Sequence, residues 1–134
     1  MILPDYIAAH LNTPFEWGKF DCILFVHGWV EHSTGINYLQ GVTPWHSGMQ
    51  AMRTLGQLGG LVRVLDARFE RISSRIACDG DIGIYQKAAH LFSGAHVVGP
   101  ARDGLTFTDR MMAEEFAWSL HGAKVADSSF KSRI

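Results

Sequence analysis

The chain contains two cysteines, Cys22 and Cys78, and only four prolines. Two thiols are too few for a disulfide framework. No apolar run approaches the roughly 20 residues that span a bilayer. The opening stretch "MILPDYIAAHLNTP" lacks the basic start and apolar segment of a signal peptide. Charge of neither sign dominates: 12 Lys and Arg stand against 13 Asp and Glu, for a net charge of −1. The basic residues are scattered, which argues against a nucleic-acid or anionic-lipid surface. No nucleic-acid partner and no membrane span are therefore expected, and a role outside the cell would need a carrier. Internal repeats and low-complexity tracts are also missing. So are a glycine-rich phosphate loop, a G-x-S-x-G elbow and paired C-x-x-C units, so no cofactor and no metal site is expected.

What is present suits one compact fold. Of 134 residues, 47% are hydrophobic and 11% aromatic, enough for a real core. A single domain is expected over residues 1–121. The segment 122–134, "GAKVADSSFKSRI", is polar and expected to be loose, or ordered only by a partner.

The first half reads as helices. A short one is expected over about 4–11, with Pro4 in its first turn. A second runs from Cys22 to about Ser33, with Asp21 as its N-cap and Gly35 beyond its end. Cys22, Phe25, Val26, Trp29 and Val30 share one face, widened by Ile23 and Leu24, so this helix is central. Two more helical stretches follow, "GMQAMRTLGQL" and "LVRVLDARF". From residue 71 the text changes to short β-rich runs punctuated by Gly and Asp: "RISSRIA", "DIGIYQ", "AHLF", "AHVVG" and "GLTFT". A last helix is expected over "DRMMAEEFA", capped by Asp109, with "AWSL" returning as an edge strand. Helices first and an antiparallel sheet second make an α+β plan.

Cys22 is the chemically notable residue. At a helix N-terminus, free amides and the macrodipole favour a thiolate and can hold an oxyanion, while Asp21 opposes ionisation. The alternative is a small apolar residue in a buried helix. As a nucleophile Cys22 needs a base. His27 lies five residues along the same helix and points elsewhere, toward Glu31. His32 and His121 read as surface residues. His90 and His96 flank an expected two-residue turn at Ser93 and Gly94, which places them on opposite faces of the sheet. His90 is the one expected to face the helix. Cys78, before "DGD", reads as a small structural residue.

These residues carry a resemblance. "PFEWGKFDC" is similar to the nucleophile segment of NlpC-type, papain-like cysteine peptidases, in which an aromatic–x–Trp–Gly stretch leads to Phe-Asp-Cys at the head of the central helix. Phe15, Trp17, Gly18, Phe20, Asp21 and Cys22 fall on that pattern. "GDIGIYQ" resembles the family's Gly-Asp strand, which precedes the strand bearing the catalytic histidine. The similarity is closer to a small branch found in tailed-phage and prophage tail modules. There a "W-G-x-x-D-C" start, a "GGL" helix, a "GD" strand, "GP-x-x-DGL" and a final "AW" follow in this order, as they do here.

The resemblance implies a papain-like fold, with Cys22 as nucleophile, His90 or His96 as base, and Trp17, Gly18 and Asp21 around the substrate. It implies peptidoglycan peptide as substrate, tail-tip or baseplate hub proteins as partners, and a place in the virion tail after synthesis in the host cytoplasm. The chain also departs from the pattern. Ile23 and Leu24 replace the Ser-Gly that usually follows the cysteine, and Phe15 replaces a tyrosine. Counting back from "GP-x-x-DGL", Ala88 falls where the histidine belongs. Two readings therefore stand together: a peptidoglycan-cleaving cysteine peptidase acting during infection, and a catalytically inactive tail component on the same fold. A cytoplasmic amidase or acyl transferase on this fold is a third, which no residue selects.

Overall fold

A computed structural model describes residues 1–121. The segment 122–134, expected to be loose or partner-docked, lies outside the described residues. Among the described residues four helices precede a six-stranded antiparallel sheet, so the α+β plan is as the sequence predicts. No helix among the described residues is long and apolar enough to cross a membrane.

The helices sit where their local signals place them. Helix α1 spans Leu3–His10 and buries Leu3, Tyr6 and Ile7, and Tyr6 donates its hydroxyl to the Phe25 carbonyl at 2.6 Å. Helix α2, Cys22–Thr34, begins at its Asp21 cap and ends at Gly35 in the left-handed region. Helix α3, Gly48–Gln57, is capped by Ser47, and α4, Leu61–Arg68, follows after a Gly59–Gly60 turn.

The strands are β1 (Glu70–Ser73), β2 (Ile82–Tyr85), β3 (Ala88–Ser93), β4 (His96–Ala101), β5 (Gly104–Asp109) and β6 (Phe116–Ser119). Their order across the sheet is β1-β6-β2-β3-β4-β5. The last strand is thus interior, between β1 and β2, and not the edge strand expected from "AWSL". Trp118 explains this: it is fully buried opposite Ile82 and Arg71, and its Nε1–H donates to Asp66 Oδ1 at 2.8 Å. A tryptophan that size is best covered in the middle of the sheet.

The helix expected over 109–117 shrinks to one 3₁₀ turn, Arg110–Met112, with Asp109 accepting from the Met111 amide. Beyond it the backbone is taken by the sheet. The Glu114 amide donates to the Ile84 carbonyl, and the Glu115 carbonyl accepts from the Ser74 amide. Groups engaged across strands cannot close helical bonds.

The β3–β4 hairpin also differs by one position. Ser93 pairs with His96 and Phe92 with Val97, so the turn is Gly94–Ala95 rather than Ser93–Gly94. This register places Phe92 and Val97, both fully buried, side by side on one face. That face is covered near the hairpin by Arg110, whose guanidinium lies 4.8 Å from the Phe92 ring and donates to the carbonyls of Ser74, Ala77 and Gly94.

The other face packs on α1, α2 and α4. Phe25, Val26, Trp29 and Val30 from α2 meet Ile82, Ile84, Ala89, Leu91, Val98 and Trp118. A second, smaller core lies behind α2, where Ile23 meets Trp45, Ala51 and Leu55.

Candidate functional site

The head of α2 is held by one carboxylate. Asp21 is fully buried, and its Oδ1 accepts from the Leu24 amide at 2.9 Å. Its Oδ2 accepts from the Gly18 amide at 3.0 Å and from Trp45 Nε1 at 2.8 Å. Gly18 turns the chain at φ +83°, and a Cβ there would lie 2.2 Å from the Trp45 carbonyl oxygen. Only glycine fits so close an approach. Trp17 packs its indole against Gly48 and edge-on against Phe15. The residues expected around a substrate thus play separate parts. Asp21 is sealed beneath Trp45, Trp17 packs against a helix start, and Gly18 lines a cavity.

Cys22 follows at the first position of α2 and is half-buried. Burial pushes its thiol above the ordinary range, with Asp21 pushing the same way; backbone groups of Ala89, Ile23 and Cys22 itself oppose this. The strand residue that meets the sulfur is Ala89, and it does so through its backbone; the Ala89 side chain belongs to the main core, whereas Cys22 packs against the smaller core behind α2.

The histidines are elsewhere. Ala89 and Leu91 face α2, so alternation along β3 turns Ala88, His90 and Phe92 to the reverse face. His90 is therefore not the residue facing the helix, contrary to the sequence expectation. Its Nδ1 lies 2.9 Å from the Ala88 carbonyl, and its ring stands edge-on to Tyr85 at 5.6 Å. The ring also covers Gly99, where a Cβ would lie 2.7 Å from Cδ2. Burial lowers its pKa, with the Ala88 carbonyl acting in the opposite direction.

His96 shares the helix-facing side with Val98, but it is exposed at the hairpin end, edge-on to Phe107 at 6.0 Å. Extending the β3–β4 register puts Pro100 opposite Ala89, and His96 is four residues along the strand, roughly 13 Å away. The two histidines do lie on opposite faces as expected, but with the assignments reversed, and the structure brings neither to Cys22. His27 meets Glu31 at 3.6 Å, as its spacing predicts. Among the described residues no three His, Cys, Asp or Glu side chains are grouped to hold a metal ion.

"Gly-Asp" has a structural explanation as well. Asp81 is buried and accepts from the Cys78 amide at 2.8 Å and the Leu120 amide at 3.1 Å, tying the entry of β2 to the end of β6. Trp29 Nε1 donates to the Gly80 carbonyl beside it.

Sequence reasoning missed a cavity of about 260 Å³ behind α2, walled by Leu24, Leu39, Val42, Pro44 and Trp45, with His27, Asn37 and His46 among its polar groups. Residues 37–46 form no helix or strand, so periodicity carries no signal there. The one available cue is an apolar loop: Leu39, Val42 and Trp45 in a segment that would otherwise be polar.

A family model described as "Domain of unknown function (DUF6950)" matches residues 2–120. No curated protein and no solved structure matches the chain.

Proposed function

The chain belongs to that family of unknown function, and we propose that it is a catalytically inactive component of a phage tail tip or baseplate, using an NlpC-type papain-like fold for assembly and hub contacts. One observation carries the loss of catalysis: what β3 presents to the Cys22 sulfur is the backbone of Ala89, while the His90 imidazole lies on the other side of the sheet. A thiol raised by burial and without a base is a poor nucleophile. The structural roles of Gly18, Asp21, Gly80 and Asp81 support the same reading, because they account for the conspicuous motifs through folding alone. What supports the virion assignment is the order of "W-G-x-x-D-C", "GGL", "GD", "GP-x-x-DGL" and "AW" shared with tail-module proteins.

The test is genetic and biochemical together. Particles made with Cys22→Ala should assemble, contain the protein and infect like the parent, whereas deleting the gene should stop tail assembly. A Cys22→Ala variant that assembles normally but fails to breach the cell wall would restore the peptidase reading. Particles that lack the protein, or assemble without its gene, would end the structural one.

A further inference from the structure

The cavity behind α2 has a stiff apolar back. Trp45 is pinned by Asp21 and by the contact of its carbonyl with Gly18, and Leu24 is held by the helix. Its volume of about 260 Å³ exceeds the roughly 150 Å³ that admits a benzene ring. One ring or one branched aliphatic group fits.

A second cavity, of about 400 Å³, shares the lining residues Thr43, Pro44 and His46 with the first and runs along α3 past Gln50, Arg53 and Gln57. Among the described residues no Asp or Glu lines either one. Arg53 is exposed and joins no ion pair among the described residues. An apolar well thus opens beside a ledge that carries the positive charge of Arg53. The fit is to a guest with an apolar group at one end and an anionic group at the other. A single guanidinium suits one carboxylate, which it can engage through two parallel hydrogen bonds.

We propose that these adjoining cavities bind a small amphipathic carboxylate, its apolar group in the well and its carboxylate at Arg53 and His46. That chemistry is shared by a free N-blocked amino acid and by the C-terminal residue of a peptide. The inference goes beyond the inactive-scaffold reading and uses none of Cys22, Ala89 or His90, so either can fail without the other.

The test is titration of the isotope-labelled full chain, followed by amide chemical shifts, with N-acetyl-leucine, N-acetyl-phenylalanine and N-acetyl-leucinamide. One of the two acids should shift amides of residues 37–46 and 50–57 saturably. Removing the carboxylate, as in the leucinamide, or the charge, as in Arg53→Gln, should weaken binding about tenfold, the scale of one lost charge-assisted bond. Val42→Trp should fill the well and abolish binding; Arg53→Gln, at an exposed site, keeps the test valid if Val42→Trp fails to fold. A leucine-terminated peptide binding more tightly than N-acetyl-leucine assigns a chain terminus as the natural guest, and weaker binding assigns a free acid. Equal affinity for acid and amide, or no saturable shift with either acid, would overturn the proposal.

Discussion

Trp45 and Asp21, distant in sequence, meet in a buried hydrogen bond of 2.8 Å from indole Nε1 to carboxylate Oδ2. Through it one side chain caps α2, closes the Gly18 turn and anchors the irregular 37–46 segment. Asp21→Ala removes all three at once and leaves the Gly18 amide and the indole N–H unpaired. The expected loss is about 3 kcal/mol, combining a helix cap with buried unsatisfied donors. Urea unfolding followed by tryptophan fluorescence reads it. Asp21→Asn keeps an acceptor for the cap and should recover part of the loss. A cost below about 1 kcal/mol for Asp21→Ala would mean that the cap alone matters.

Acid should destabilise the fold through its histidines. Burial lowers the pKa of His90, His27 and His10, with the Ala88 carbonyl opposing at His90 and Glu31 opposing at His27. A lowered histidine pKa means that the unfolded chain binds protons more readily than the folded one. The resulting stability is complete above the unfolded value of about 6.5 and is lost as pH falls through the folded values. Melting temperature should therefore drop between pH 7.5 and pH 5.5. His90→Gln should flatten that slope whatever its own stability, since His90 is the most buried of the three. A slope unchanged in the variant would place the titration elsewhere.

The β2–β3 turn carries a correctable strain. Gln86 and Lys87 hold φ of 50° and 64° between the paired ends Tyr85 and Ala88. Two left-handed residues in a two-residue hairpin are what Asn-Gly supplies with least cost. Replacing Gln86–Lys87 by Asn-Gly should raise stability by about 1 kcal/mol, seen as a higher urea midpoint with the same slope. A lower midpoint would mean that the two side chains make contacts worth more than the strain.

The local signals in the sequence were readable, and the long-range ones were not. Asp21 as cap, Gly35 as terminator and the apolar face of α2 are set within a few residues, and the helix forms where they place it. The orientation of β3 could not be read in the same way, because Ala89, His90, Leu91 and Phe92 are all buried. With apolar groups on both faces, alternation carries no polarity and a one-residue error moves every side chain across the sheet. The interior place of β6 depends on Trp118 meeting Asp66, 52 residues away, and no short window contains that pair. The expectation of a histidine opposite Cys22 failed at the same point as the strand orientation.

That geometry gives the sharpest prediction for the candidate site. Cys22 is half-buried with its thiol pushed up by burial, whereas Cys78 is exposed. Iodoacetamide at pH 7 should modify Cys78 first and Cys22 slowly, and the Cys22 rate should climb only in alkaline solution. A raised folded-state pKa also means that the thiol favours folding below the unfolded value of about 8.5, and that this contribution fades as pH rises past it. Comparison with Cys22→Ala isolates that fall. Ala89→His then places an imidazole on the strand residue whose backbone meets the sulfur. Overpacking there should cost about 1–3 kcal/mol, while an imidazolium beside the sulfur lowers the thiol pKa. In a Cys78→Ser background, alkylation of Cys22 at pH 7 should rise by about tenfold or more, as each unit of pKa multiplies the thiolate fraction tenfold. His90→Ala in the same background should leave the rate unchanged, because that ring lies across the sheet. A Cys22 that already reacts quickly at pH 7, and slows in His90→Ala, would mean that the imidazole reaches the sulfur after all.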